Sequence, residues 1–245
     1  MTAPHLKSGL NIWLSIPSAW TAKLMAELDV DSITIDMQHG LSDYVTTVSM
    51  IESIIASEKF PIVRVPWNSP GELMRVLDAG ALGVIAPMIN NSRDAMEFVK
   101  STKYAPQGER SIGPIKAELF YGSDYRKIAN KTVKAIAMIE TKEAVDNIEE
   151  ILDTGIDGIY IGTNDLSMSL GIEELGDLDN PQLADAITTV ITAAQKRGIL
   201  IGMHARFAGE VDRIQKMGVN LVTPINDSRL LLAAGKDIID SIKNS

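Results

Sequence analysis

Short runs rich in Val and Ile recur along the chain, and each is followed by a stretch whose apolar positions return every three or four residues. The runs Leu10 to Ile16, Ser32 to Asp36, Pro61 to Val65, Gly83 to Ala86, Val133 to Ile139, Gly158 to Ile161, Leu200 to Met203 and Leu221 to Thr223 read as buried strands. Helical periodicity covers Ala19 to Leu28, Tyr44 to Ser57, Glu72 to Asp78, Asp94 to Ser101, Lys142 to Leu152, Gln182 to Arg197, Ala208 to Met217 and Arg229 to Lys243. Gly80, Gly155, Gly198 and Gly218 stand where a helix must stop before the next strand. Strand and helix alternate eight times in about 250 residues, which predicts a closed (β/α)8 TIM barrel, as one domain over residues 1–245, better than an open doubly wound sheet. The stretch Tyr104 to Asn130, rich in Gly, Pro and Tyr, is expected to be a long irregular loop with a functional or assembly role.

Composition narrows the chemistry. With 45% hydrophobic and 22% charged residues, the 245-residue chain is globular in character. A net charge of -9 opposes binding to nucleic acid or to an anionic membrane. Cysteine is absent, which excludes disulfides and thiolate chemistry and leaves oxygen and imidazole donors for any metal. The apolar stretch near the start is broken at Asn11, Ser15 and Pro17 and lacks a cleavage site of small residues, so it reads as the mature start of a cytoplasmic protein. No apolar run approaches the roughly 20 residues needed to cross a bilayer. Walker, GxGxxG and nucleophile-elbow motifs are also missing.

In such a barrel the C-terminal ends of the strands line the active site. Four polar patches fall there: Asp36 with His39, Arg64, Glu140, and Gly162-Thr163-Asn164-Asp165. Glu140 and Asp165 follow neighbouring strands about 4.8 Å apart, so their carboxylates can converge, and two such anions repel unless a cation lies between them. An all-oxygen pair suits Mg2+ or Mn2+. The competing reading is that both residues only cap the helices that follow. Arg64, inside Ile62-Val63-Arg64-Val65, needs an anionic or carbonyl partner, met by a 2-oxo acid or by a barrel carboxylate. His39, three residues after Asp36, is placed for its ring to donate to that carboxylate and to move protons near neutral pH. Amides of Gly162, Thr163 and Asn164 could hold a substrate carboxylate at a helix start. His5 and His204 receive no role.

These stretches carry a resemblance. Ile35-Asp36-Met37-Gln38-His39-Gly40, Val63-Arg64-Val65-Pro66, Leu77-Asp78-Ala79-Gly80-Ala81 through Pro87-Met88, Tyr104-Ala105-Pro106-Gln107-Gly108-Glu109-Arg110, Ile139-Glu140-Thr141 and Gly158 through Ser167 occur in order and spacing similar to the HpcH/HpaI aldolase family. The resemblance implies a class II aldolase that joins or splits pyruvate, or a related 2-oxo acid, and an aldehyde. It implies Mg2+ or Mn2+ on Glu140 and Asp165, with Co2+ an acceptable substitute. It implies Arg64 at the enolate oxygen, the amides of Gly162 to Asn164 at the substrate carboxylate, and His39, paired with Asp36, in proton transfer. It also implies a homohexamer built as a trimer of dimers, with C-terminal helices exchanged. Three positions depart from the family pattern: Gln38 replaces a usual Glu, Met138 a usual Gln, and Ser111 follows Arg110 where Gly is common. Three alternatives use the same barrel: a lyase acting on acyl-coenzyme A, for which no basic cluster is evident, a catalytically silent binder of 2-oxo acids, and a metal-free barrel isomerase, which unchanged activity after chelation would favour.

Overall fold

Strands buried on both faces and joined by helices close on themselves in the computed structural model, which describes residues 3–6 and 8–244. The strands are β1 (Gly9–Leu14), β2 (Ser32–Asp36), β3 (Phe60–Arg64), β4 (Gly83–Ala86), β5 (Lys134–Ile139), β6 (Gly158–Ile161), β7 (Leu200–His204) and β8 (Leu221–Thr223). They pair in sequence order, all parallel, and β8 returns to β1, as the alternating pattern predicts.

Around them run α1 (Ala19–Ala26), α2 (Tyr44–Ala56), α3 (Pro70–Asp78), α4 (Ser92–Thr102), α5 (Ile115–Tyr121), α6 (Tyr125–Thr132), α7 (Lys142–Asp146), α8 (Ile148–Leu152), α9 (Thr163–Ser169), α10 (Pro181–Arg197), α11 (Val211–Lys216) and α12 (Asp227–Lys243). Side chains of Ser18, Asp43, Asn91, Thr141, Asn180 and Asn226 accept first-turn N–H groups, which fixes where six of these helices begin. Gly80, Gly155, Gly198 and Gly218 all take positive φ at the far ends. Gly218 has φ 102°, which a larger residue rarely adopts, and a Cβ there would lie 1.9 Å from Gln195 Nε2 and push that side chain aside.

Two expectations need correction. The stretch 104–130 is not one irregular loop: it folds into α5 and most of α6, whose buried residues Ala117, Tyr121, Tyr125 and Ala129 recur at helical spacing. The helix expected from 142 to 152 is broken at Asn147, whose backbone leaves the helical region while its Nδ2 donates to Asn90 O at 3.0 Å. The helix start expected at 162–165 is that of the short helix α9.

The barrel interior is partly polar. Ser32 and Thr34 hydroxyls donate to Asn11 Oδ1 at 2.9 and 3.0 Å, Asn11 Nδ2 donates to Thr223 Oγ1 at 2.9 Å, and Thr223 Oγ1 lies 2.6 Å from the Tyr160 hydroxyl. This chain climbs the axis toward the C-terminal mouth. Over that mouth Asp227, the one buried residue of α12, accepts from Ser15 N at 2.9 Å and Ile16 N at 3.1 Å. Among the described residues, no helix is long and apolar enough to cross a membrane.

Candidate active site

Adjacent strand ends set the central pair. Asp36 and Arg64 are register partners on β2 and β3, so both buried side chains leave the barrel at the same level. Arg64 Nε donates to Asp36 Oδ1 at 2.9 Å and Nη2 to Oδ2, a two-point pairing that the planar guanidinium favours. The guanidinium also stacks over Trp13, 4.9 Å from the ring centroid. Burial alone would raise the Asp36 carboxyl, but hydrogen bonds and charge from Arg64, joined by the Trp13 indole and the His39 amide, hold it below the usual carboxylate range. Asp36 is therefore an anion that locks Arg64.

That engagement corrects the expected Asp36–His39 ring contact. Asp36 Oδ1 accepts the backbone amides of Gln38 and His39 at 3.0 and 3.2 Å, and among the described residues the imidazole of His39 makes no hydrogen bond. The carboxylate, already used by Arg64, organises the turn instead of the ring. His39 stays exposed at the cavity edge.

Glu140 follows β5 and is 3% exposed. Its Oε1 accepts from Met88 N at 2.8 Å, a geometry made by a left-handed Met88 (φ 56°) in the loop after β4. Burial raises its carboxyl above the usual range; Asp165 adds to the rise, while Met88 N–H and Arg64 oppose it. Asp165, in the first turn of α9, is exposed and lines the same cavity. Between them lies Gly162, where a Cβ would sit 2.8 Å from Glu140 Cβ and 2.9 Å from Glu140 Oε2. Only glycine lets that carboxylate occupy its place.

The expected amide cradle is smaller than the sequence suggests. Gly162 N donates to Ile139 O at 3.0 Å, so the sheet uses it and only the Thr163 and Asn164 amides remain. Met138 sits between the two halves of the site: its Sδ is 3.9 Å from Arg64 Nη1 and its Cε would be 3.3 Å from a Cβ at 162.

One cavity of about 640 Å³ gathers these groups, within the size range of small-molecule sites. All eight site positions predicted from sequence lie in it or, for Glu140, against its Gly162 wall. The sequence reading missed Trp13, His204, Arg206 and Arg229. His204 ends β7 and was detectable by the same strand-end rule that found Glu140. Its Nδ1 lies 3.0 Å from the Tyr160 hydroxyl and its ring meets Trp13 edge-on at 4.5 Å. Burial, with the Arg64 charge next, pushes it down to about 3, so the ring is neutral. Arg206 pairs with Glu174, Asp177 and Glu210.

Among the described residues no group of three or more His, Asp and Glu side chains forms a metal cluster, so the protein would offer a cation two carboxylates at most. The residues fit such an ion nonetheless. Glu140 and Asp165 are like charges close enough to perturb each other, both are hard oxygen donors, and the open cavity leaves room for water and substrate oxygens.

Known proteins share this arrangement's frame. A hydroxypyruvate/pyruvate aldolase of Rhizorhabdus wittichii is 39% identical over 228 residues, covering 93% of this chain and 91% of its own. A 4-hydroxy-2-oxo-heptane-1,7-dioate aldolase of Escherichia coli is 31% identical over 238 residues, covering 94% and 90%. The crystal structure of an HpcH/HpaI aldolase/citrate lyase family protein from Burkholderia cenocepacia superposes with a TM-score of 0.89 at 30% identity, covering 97% of this chain and 95% of the other. The sequence profile of that family matches residues 10–227, and with these relatives it shows that the chain belongs to the HpcH/HpaI aldolase/citrate lyase family.

Proposed function

We propose that the protein is a class II aldolase, which splits a 4-hydroxy-2-oxo acid into pyruvate, or a related 2-oxo acid, and an aldehyde, or joins them. One observation carries the reading: the Arg64 guanidinium, locked by Asp36, and the Asp165 carboxylate line one cavity at the C-terminal mouth of the barrel, with the Glu140 carboxylate packed against its Gly162 wall. Relatives named hydroxypyruvate/pyruvate aldolase and 4-hydroxy-2-oxo-heptane-1,7-dioate aldolase support it.

Glu140 and Asp165 would hold a divalent cation, Mg2+ or Mn2+ by the chemistry of their oxygens, with Co2+ also accommodated. When bound, that ion supplies Lewis acidity to the 2-oxo group. Every other part is the chain's own. In cleavage the bond between C3 and C4 breaks, its electrons pass into the 2-oxo unit as an enolate, the C4 hydroxyl loses its proton as the aldehyde forms, and the enolate takes up a proton at C3 to give the 2-oxo acid. Arg64 has committed Nε and Nη2 to Asp36, so Nη1 is left to meet the developing enolate oxygen. Asp36 keeps the guanidinium aimed. Amides of Thr163 and Asn164 assist the substrate carboxylate. His39, exposed at the edge, takes the C4 hydroxyl proton. Met138 presents a thioether to Arg64 and thereby leaves the guanidinium more available to substrate.

The exposed apolar residues of α12, among them Leu231, Leu232, Ile238 and Ile239, support self-association. A hexamer assembled as a trimer of dimers, with α12 exchanged, is the form we assign.

The test is release of pyruvate from a 4-hydroxy-2-oxo acid, with and without chelator, in wild type, Glu140→Ala and Asp165→Ala. Turnover restored by Mg2+ or Mn2+ in wild type and absent from both variants is expected; full activity in chelator would falsify the metal assignment.

A further inference from the structure

We infer that residues 171–177 form a strap, clasped by Arg206, whose Leu175 covers the 2-oxo acid end of the cavity and keeps solvent protons from the enolate until it has met the aldehyde. The inference rests on the aldolase reading above and adds a residue that commits the enolate. Between α9 and α10 the chain turns at two left-handed glycines, Gly171 (φ 75°) and Gly176 (φ 70°). The amides of Glu173, Glu174 and Leu175, which lie between them, donate to no protein acceptor among the described residues. Both ends, by contrast, are fixed. Ile172 N donates to Ser167 O at 2.9 Å, Gly176 N donates to Ser167 Oγ at 3.0 Å, and Leu178 is buried in the core. A span with secured ends and an unbonded tip can open without disturbing the barrel.

Gly176 sets the tip over the reacting end. A Cβ there would lie 2.7 Å from Asn164 Oδ1 and 3.3 Å from Thr163 Oγ1, so the strap runs against the turn whose amides meet the substrate carboxylate. Leu175 lines the cavity beside Thr163, Asn164 and Asp165. Ile172 packs on the core, whereas Leu175 stays at the rim, 41% exposed. An apolar side chain there serves to exclude water from what lies beneath it. Arg206 is the clasp. Buried Glu210 accepts its Nε at 3.0 Å and aims the guanidinium across the rim, where it reaches Asp177 at 3.2 Å and Glu174 at 3.6 Å. Pairs this exposed hold weakly, so the strap can also release product. In synthesis the enolate has two fates. Its C3 takes a proton from water and the 2-oxo acid returns, or C3 bonds to the aldehyde carbon and the aldehyde oxygen takes the proton. A covered site slows the first and spares the second.

The experiment supplies pyruvate, Mg2+ and acetaldehyde together in D2O and reads one ratio, deuterium entering pyruvate C3 against aldol product formed. Leu175→Ala should raise that ratio by about tenfold, the effect of uncovering one leucine, and Leu175→Met should return it toward wild type. A general loss of activity would slow both events and leave their ratio alone. Arg206→Gln should raise the ratio too. In metal-free protein without substrate it should also speed amide hydrogen exchange at 173–176 by about threefold, as expected for lost exposed ion pairs. A ratio that Leu175→Ala leaves unmoved overturns the strap, and so does strap exchange that Arg206→Gln leaves unmoved; with deuterium uptake and aldol product present in wild type, the aldolase reading survives either result. Absence of both from wild type overturns the aldolase reading and the strap with it. Should Arg206→Gln fail to fold because Glu210 is left buried alone, Leu175→Ala decides, since so exposed a side chain carries little stability.

Discussion

Gly162 has no side chain, yet it controls where Glu140 can stand. A methyl group there would be 2.8 Å from Glu140 Cβ, with the other neighbours, Glu140 Oε2 and Met138 Cε, also too near for comfort. Gly162→Ala should therefore displace the carboxylate by a fraction of an ångström or more and lower kcat/KM by about a hundredfold, while costing roughly 1–3 kcal/mol of stability. Steady-state kinetics beside urea unfolding will separate the two effects; unchanged kinetics would mean that Glu140 takes no part. Glu140 itself is buried, carries a perturbing neighbour in Asp165, and has one amide as partner. Glu140→Gln keeps an acceptor for Met88 N and removes the repulsion. In chelator this variant should melt above wild type, by about 2–4 °C for each kcal/mol regained, although it loses metal-dependent turnover. Asp36 behaves in the opposite sense. Its carboxyl is held below the usual range, so its contribution is present above the unfolded value and disappears as pH falls through the lower folded one. Asp36→Asn would leave Arg64 buried without its counter-charge, at a cost of about 3–5 kcal/mol. The gap between wild type and variant should narrow once pH drops below about 4, and a gap independent of pH would contradict this account.

At the scale of elements, strands were legible because their apolar runs are short, β-branched and bounded by turn residues, and β2, β4, β6 and β8 match the expected limits. Strand ends then located Asp36, Arg64, Glu140 and Asp165 without knowledge of any contact. What escaped was long-range. Nothing local says that Asp36 will meet Arg64 before it meets the His39 ring, because that choice depends on the β2–β3 register. Nor does local sequence say that Tyr160 and Thr223 will turn His204 toward the cavity. The segment 104–130 was misread because its Gly and Pro residues outweigh the weak periodicity of two short helices. The start of α12 shows how one element ties several functions together. Asp227 satisfies the amides of Ser15 and Ile16, closing the mouth between β1 and β8, and it fixes the turn that carries Arg229. Asp227→Ala should orphan those amides, at about 1–3 kcal/mol each where water cannot reach them. Hydrogen exchange at Ser15 and Ile16 should accelerate together. Protection retained at both amides would show that α12 docks by other means.

The molecule as a whole has a face that one chain leaves uncovered. Apart from Asp227, α12 buries none of its own residues, and Leu231, Leu232, Ile238 and Ile239 are each at least half exposed. A groove of about 610 Å³ runs beneath them, walled by Ile16, Leu231, Leu232 and Ile239. Exposed apolar area of that kind contributes to stability only when another surface removes it from water, at roughly 25 cal/mol per Å². A chain of net charge -9 would otherwise repel its copies, so association needs a contact of this apolar kind to prevail. Since the same helix carries Arg229 in its first turn, assembly would also steady one end of the cavity. Replacing Leu232 and Ile239 together by Glu should leave the fold of each chain within about 0.5 kcal/mol per site, because both side chains are exposed. Sedimentation velocity should then show the large wild-type species giving way to smaller ones. A wild-type protein that already sediments as a monomer at micromolar concentration would remove the assembly from this account, and with it any contribution of a second copy to the mouth of the barrel.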